Sequence, residues 1–76
     1  MSKIEIFILN MVGRYDLTPL DIINVLMERS LIDKPIEGDR AIEDLINKGF
    51  IECHIDNTLH FTNGFKYGFI KMDIFN

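Results

Sequence analysis

Leu45-Ile46-Asn47-Lys48-Gly49-Phe50-Ile51 decides the fold, because the spacing of the apolar residues changes within this stretch. Before Gly49 they follow the helical spacing of one buried stripe, made of Ala41, Ile42, Leu45 and Ile46. After Gly49 they alternate with polar residues, which is typical of a half-buried strand. Glycine is the residue type that most often takes the left-handed conformation at the end of a helix. The stretch therefore predicts a helix from about Glu37 to Lys48 that passes directly into a strand.

A two-stranded hairpin is predicted after this helix. The apolar residues alternate in two runs, which are Ile51, Cys53 and Ile55, then Leu59 and Phe61. A two-residue turn would set core positions of one strand opposite solvent positions of the other. A three-residue loop at Asp56-Asn57-Thr58 pairs Ile55 with Leu59 and Cys53 with Phe61 on one face. We therefore predict this loop, with its second or third residue near the left-handed region.

Two further helices are predicted before this unit. The first covers residues 3 to 11 or 12, with Ser2 as its N-cap, although its isoleucines also tolerate a strand. The second has the stronger start signal, since Thr18-Pro19-Leu20-Asp21 combines a capping Thr, an early Pro and an Asp three residues after the cap. It is expected to end near residue 29 or 30. Pro35 then requires an extended Lys34.

A last helix is predicted from about Asn63 to Ile74, and it is apolar almost all round. A chain of 76 residues is not expected to bury this helix and both faces of the first helix at once. Exposed apolar patches of that size mark an interface, so a symmetric homodimer is expected. The predicted dimer interface consists of Ile6, Phe7, Leu9, Phe65, Phe69, Met72 and Phe75.

The order helix, helix, helix, hairpin, helix resembles a winged helix-turn-helix domain, an α+β fold, over nearly all of residues 1–76. The stretch 45–51 resembles the Leu-x-x-x-Gly-Leu-Ile segment that ends the recognition helix and begins the wing. Leu59-His60-Phe61-Thr62-Asn63-Gly64 is similar to the Leu-Thr-x-x-Gly end of the wing, with one residue fewer before the glycine. MarR-type and PadR-type regulator domains, without their long dimerisation extensions, are the most similar. The resemblance implies a single DNA-binding domain whose third helix meets the major groove.

Candidate DNA contacts follow from this resemblance. Arg40 is the expected base reader. The other expected contacts, lysines on phosphates and two wing residues, are Lys34, Lys48, Lys66, Asn57 and Thr58. The implied role is that of a small homodimeric transcriptional regulator, or of a plasmid or phage DNA-site adaptor.

The charge of the chain supports an alternative. Eight basic and twelve acidic side chains give a net charge of −4, which argues against a non-specific nucleic-acid coat protein. The third helix carries Glu37, Asp39, Glu43 and Asp44 where positive charge is expected. Glu37 and Asp39 also suit the first turn of any helix through its dipole. The alternative is a winged-helix module that binds a basic protein, or that imitates the charge of DNA to inhibit a nucleic-acid-binding protein.

Catalysis is the least expected function. His54 and His60 are predicted directly across from each other on the outer face of the hairpin, beside Glu52, while Cys53 is predicted on the apolar face. The sequence has no phosphate-binding loop, and one cysteine excludes an intramolecular disulfide and a multi-cysteine zinc site. We therefore expect no enzymatic activity and no cofactor. The apolar run 6–9 is too short for a signal peptide or a membrane span, so a cytoplasmic location is expected.

Overall fold

Three helices and a two-stranded hairpin form the part of the chain that the structure describes, which is residues 1–68 of a computed structural model. The helices are α1 (Lys3–Val12), α2 (Pro19–Glu28) and α3 (Pro35–Asn47), and the antiparallel strands are β1 (Ile51–Cys53) and β2 (Leu59–Phe61). This architecture is a small α+β fold that is compatible with a winged-helix layout. Of the predicted last helix, residues 63–68 are not helical, and residues 69–74 lie outside the described residues.

α1 and α2 begin at side-chain caps that are visible in the sequence. The Ser2 hydroxyl accepts a hydrogen bond from the Glu5 amide at 3.1 Å, and the Glu5 carboxylate accepts one from the Ser2 amide at 3.2 Å. Thr18 and Asp21 form the same reciprocal pair at 3.2 and 3.0 Å. Each pair satisfies two amides that the start of a helix otherwise leaves without partners. Both helices therefore start where the sequence predicts.

α3 begins at Pro35, two residues earlier than predicted. The Glu37 carboxylate accepts hydrogen bonds from the amides of Lys34 at 2.9 Å and Asp33 at 2.6 Å, and these bonds lower the pKa of Glu37 below its ordinary value. Lys34 is extended, as predicted for a residue before proline. Glu37 thus caps the helix, which gives one of the acidic residues of α3 a structural role.

Gly38 lies inside α3 and is buried against α2. A Cβ atom at this position would lie 3.0 Å from Ile23 Cγ1 and 3.0 Å from Ile32 Cδ1. Carbon atoms in contact prefer a separation of about 3.5–4.0 Å. The glycine therefore allows α2 and α3 to approach more closely than a side chain would permit, and this approach sets the position of α3.

The core surrounds α1. Six consecutive residues of this helix, from Phe7 to Val12, are buried, so α1 has no solvent-facing side over that length. The other core residues are Ile22, Ile23, Leu26, Ile32, Ile42, Leu45, Ile51 and Leu59. A single chain thus buries both sides of its first helix between Phe7 and Val12.

The hairpin loop has three residues, as predicted, but it lies one residue earlier, at 55–57. The His54 amide donates to the Thr58 carbonyl at 2.8 Å, so these two residues flank the loop. Asn57 takes a left-handed φ of 69°, as predicted for one of two positions. The Asp56 carboxylate accepts hydrogen bonds from the amide and the hydroxyl of Thr58 at 3.1 and 2.6 Å. The hydrogen bonds of Asp56 and the left-handed Asn57 therefore determine where the loop lies, although a loop one residue later would pair Ile55 with Leu59.

The register of the hairpin consequently differs from the predicted one by two residues. Cys53 pairs with Leu59 and Ile51 with Phe61, whereas the sequence predicted Ile55 with Leu59 and Cys53 with Phe61. A shift by two keeps the paired residues on their predicted sides of the sheet. Ile55 moves into the loop, where it is fully exposed, and Cys53 at the end of β1 is exposed rather than buried.

Residues 62–68 cross back over the hairpin and α1. The Phe65 ring stacks on the Phe50 ring with centroids 4.5 Å apart. The Tyr67 hydroxyl donates to Oδ1 of the buried Asn10 at 3.0 Å. Phe65 and Tyr67 are two residues apart and both pack against the core. This spacing requires extended backbone, since residues two apart on a helix point in different directions, and it explains why the predicted helix does not begin here.

Candidate functional site

The exposed side of α3 is the first candidate site, because the sequence led us to expect DNA contacts on this helix. The buried residues Gly38, Ile42 and Leu45 define the inner side. By helical periodicity the outer side carries four exposed residues, which are Ile36, Arg40, Glu43 and Asn47. Arg40 is the one basic residue among these four. The predicted base reader is therefore accessible, but it stands beside an acidic residue.

A shallow groove of about 310 Å³ runs along one side of α3, between this helix, the start of α2 and the end of β1. Its floor is mostly apolar, and its rim carries two carboxylates. The lining residues are Pro19, Asp39, Ile42, Glu43, Ile46, Asn47 and Cys53. Ile46 is predicted as a core residue but is 38% exposed, because its side chain lines this groove.

A backbone motif at the end of α3 shapes one end of the groove. The Phe50 amide donates to the Leu45 carbonyl at 3.1 Å, and the Gly49 amide donates to the Ile46 carbonyl at 2.9 Å. Gly49 has a left-handed φ of 79°, as its position after the helix predicts. This pair of bonds is the Schellman motif, which ends helices at a left-handed residue. It turns the chain sharply into β1 and brings Cys53 alongside α3.

The groove side of α3 carries two carboxylates that have no ion-pair partner among residues 1–68. Asp39 and Glu43 are four residues apart, so they lie on the same side of the helix. Both are exposed, and among residues 1–68 neither forms an ion pair. Lys48, at the C-cap of α3, is instead bound to Glu5, with 2.7 Å between Nζ and Oε2. The hydrogen bond from Lys48 lowers the pKa of Glu5 below its ordinary value.

The other predicted DNA contacts lie on three different elements. Lys34 is exposed at the N-cap of α3, and Lys66 is exposed in the segment after β2. In the hairpin loop, the Asn57 amide oxygen accepts a hydrogen bond from the Cys53 thiol at 3.4 Å. The Thr58 hydroxyl lies 2.6 Å from an imidazole nitrogen of His60 and also donates to the Asp56 carboxylate. The wing residues are thus engaged in bonds that hold the hairpin together.

A histidine pair occupies the outer face of the hairpin. The rings of His54 and His60 stack with centroids 4.0 Å apart, and Glu52 Oε2 lies 2.9 Å from His54 Nε2. The predicted face is right, but the histidines are diagonal neighbours, because Glu52 is the residue opposite His60. Among residues 1–68, no three His, Cys, Asp or Glu side chains are placed to hold a metal ion.

The residues of the predicted dimer interface differ in their exposure in the structure. Phe7 and Leu9 are 1% and 0% exposed in the core of the single chain, so a second copy cannot contact them without rearrangement. Ile6 and Phe65 are half-buried. The three others, Phe69, Met72 and Phe75, lie outside the described residues. The homodimer stays a prediction, and within residues 1–68 Ile6 and Phe65 are the expected interface residues that are not fully buried.

Comparison with known protein families, with curated proteins and with solved structures finds no match for this chain. Within residues 1–68, no helix combines the length and the apolar character needed to cross a bilayer.

Proposed function

We propose that this protein is a winged-helix-like interaction module that binds a partner protein through the groove side of α3. The observation that carries the proposal is the position of Asp39 and Glu43 at the rim of an apolar groove. Apolar pockets with a polar rim are the usual anchor points of protein–protein interfaces. Exposed charges at the rim attract a partner of opposite charge and raise the rate of association.

The same charges disfavour nucleic acid on this side of the helix. DNA affinity depends largely on lysines and arginines that neutralise phosphates. Lys48, a predicted phosphate contact, is already paired with Glu5. The carboxylates of Asp39 and Glu43 would repel a phosphate backbone that followed the groove. Of the two functions considered from the sequence, these contacts favour the protein partner.

DNA binding is the second candidate, and one observation favours it. Arg40 and Asn47 are seven residues apart, so they share the outer line of α3, and both residue types hydrogen-bond base edges in the major groove. In this case the protein acts as a small homodimeric regulator or as a plasmid or phage DNA-site adaptor. Arg40→Ala would then weaken binding to the cognate duplex by about 1–3 kcal/mol, as measured by titration at fixed salt.

Parallel selections on the immobilised full chain separate the two candidates. A library of random short peptides and a pool of random DNA duplexes are offered in the same buffer at physiological salt. The enriched molecules are then titrated into isotope-labelled protein, and the amide resonances of α3 are followed. We expect the selection to enrich peptides, and these peptides to shift the amide resonances of residues 39–47. Enriched duplexes that shift these resonances, when no peptide does, would refute it.

A further inference from the structure

We infer that the groove holds one large apolar side chain of the partner while a lysine or arginine next to it binds between Asp39 and Glu43. This inference rests on the proposed function and adds the chemistry of the partner segment. The partner is thus a basic segment that carries an apolar anchor, and not a purely ionic or a purely apolar one.

The floor of the groove supplies the apolar contact. Pro19, Ile42 and Ile46 line it, and Leu20 at the start of α2 is 64% exposed beside Pro19 in the chain. The volume of about 310 Å³ is at the lower end of the range for ligand pockets, which is about 300–1,000 Å³. A groove of this size takes one or two side chains and is too small for a longer stretch of a partner.

The rim supplies the charge. On one side of a helix, residues four apart have Cβ atoms about 5–6 Å from each other, so a single ammonium or guanidinium group can contact both Asp39 and Glu43. Neither carboxylate has an ion-pair partner within residues 1–68. Asn47 at the same rim has an amide that can donate to, or accept from, the backbone of the partner. A basic side chain of the partner therefore compensates charge that residues 1–68 leave without an ion pair.

Three synthetic peptides of equal length test this chemistry on the isotope-labelled full chain. The first places a leucine pair between lysines, the second replaces the leucines by serine, and the third replaces the lysines by glutamate. We expect the first peptide to shift the amide resonances of the groove, and the serine and glutamate peptides to bind at least about tenfold more weakly, a loss of about 1.4 kcal/mol each.

Two variants locate the contact. Asp39→Asn combined with Glu43→Gln removes both charges at the rim, and we expect about tenfold weaker binding of the leucine–lysine peptide, mainly through slower association. Asp44→Asn is the matched control, because Asp44 is equally exposed on α3 but does not line the groove. It should leave the affinity within about twofold, as expected for an exposed charge outside the groove. The spectrum of each variant without peptide verifies that it is folded.

The outcomes separate this inference from the proposed function. The inference is overturned if the serine peptide binds as tightly as the leucine peptide, or if Asp44→Asn weakens binding as much as the double variant. Selected peptides that shift the α3 resonances but lack basic residues would overturn the inference and leave the proposed function intact. Binding of DNA duplexes alone at α3 would remove both.

Discussion

Replacing Gly38 with alanine is expected to destabilise the protein, although alanine is the better helix former. In a helix interior the exchange alone favours alanine by about 1 kcal/mol. Against this, the new Cβ atom would lie 3.0 Å from Ile23 Cγ1, 3.0 Å from Ile32 Cδ1 and 3.4 Å from Leu26 Cδ1. Overpacking of this kind costs about 1–3 kcal/mol. The net loss of stability is therefore about 1 kcal/mol, or a fall of about 4–8 °C in Tm for a domain of this size.

Thermal and denaturant unfolding, followed by circular dichroism, measure this loss. Ile32→Val removes Cδ1, one of the two atoms nearest the new Cβ, so the double variant Gly38→Ala/Ile32→Val should lose less stability than the sum of the two single variants. A coupling of about 0.5 kcal/mol or more is expected between two positions in such contact.

Gly68→Ala is the control, because a Cβ atom at Gly68 would have no neighbour within 4 Å among residues 1–68. This variant should be as stable as the wild type, or more stable by up to about 1 kcal/mol, because alanine reduces the conformational freedom of the unfolded chain. If Gly38→Ala raises Tm as much as Gly68→Ala, and the double variant shows no coupling, then α2 and α3 do not pack as closely as described.

Three further predictions concern single contacts. Gly49→Ala should cost about 1–2 kcal/mol in denaturant unfolding, since the φ of 79° is strained for a residue with a side chain. Glu5→Gln should lose less stability than the wild type when the pH is lowered. Lys48 lowers the pKa of Glu5 below 4.5, so the wild-type pair stabilises the fold above that pH, and this contribution is lost as the pH falls through the lowered pKa. Tyr67→Phe should cost about 1 kcal/mol through the bond to Asn10. Burial raises the pKa of Tyr67, so only the wild type should lose this contribution as pH rises above 10, as pH-dependent melts would show.

Local signals in the sequence were sufficient for the starts of α1 and α2 and for the end of α3. In each case one side chain or one glycine makes its decisive hydrogen bonds within a few residues of itself. The start of α3 was placed too late because Pro35 was assigned to the linker, whereas in the structure it is the first residue of the helix, a position that suits proline. The close approach of Ile23 and Ile32 to Gly38 was not predicted, because no sequence pattern around Gly38 indicates these distant neighbours.

The candidate site was predictable only in part. The acidic residues of α3 and the shared face of His54 and His60 followed from helical and strand periodicity. The groove did not, because it combines α3 with Pro19 of α2 and with Cys53, which is exposed at the end of β1 although the alternation of apolar residues predicted it to be buried. The error came from matching apolar side chains across the hairpin, whereas Asp56 and Asn57 set the loop.

The enclosure of α1 bears on how such a chain can change during evolution. α1 buries six of its ten residues in one unbroken run, while α3 buries three of thirteen. Nearly every substitution between Phe7 and Val12 is therefore expected to destabilise the fold, and most such variants are expected to be removed by selection. The exposed positions of α3, apart from the capping Glu37, can vary with less effect on stability, so the outer surface of α3 can change while the first helix stays nearly the same.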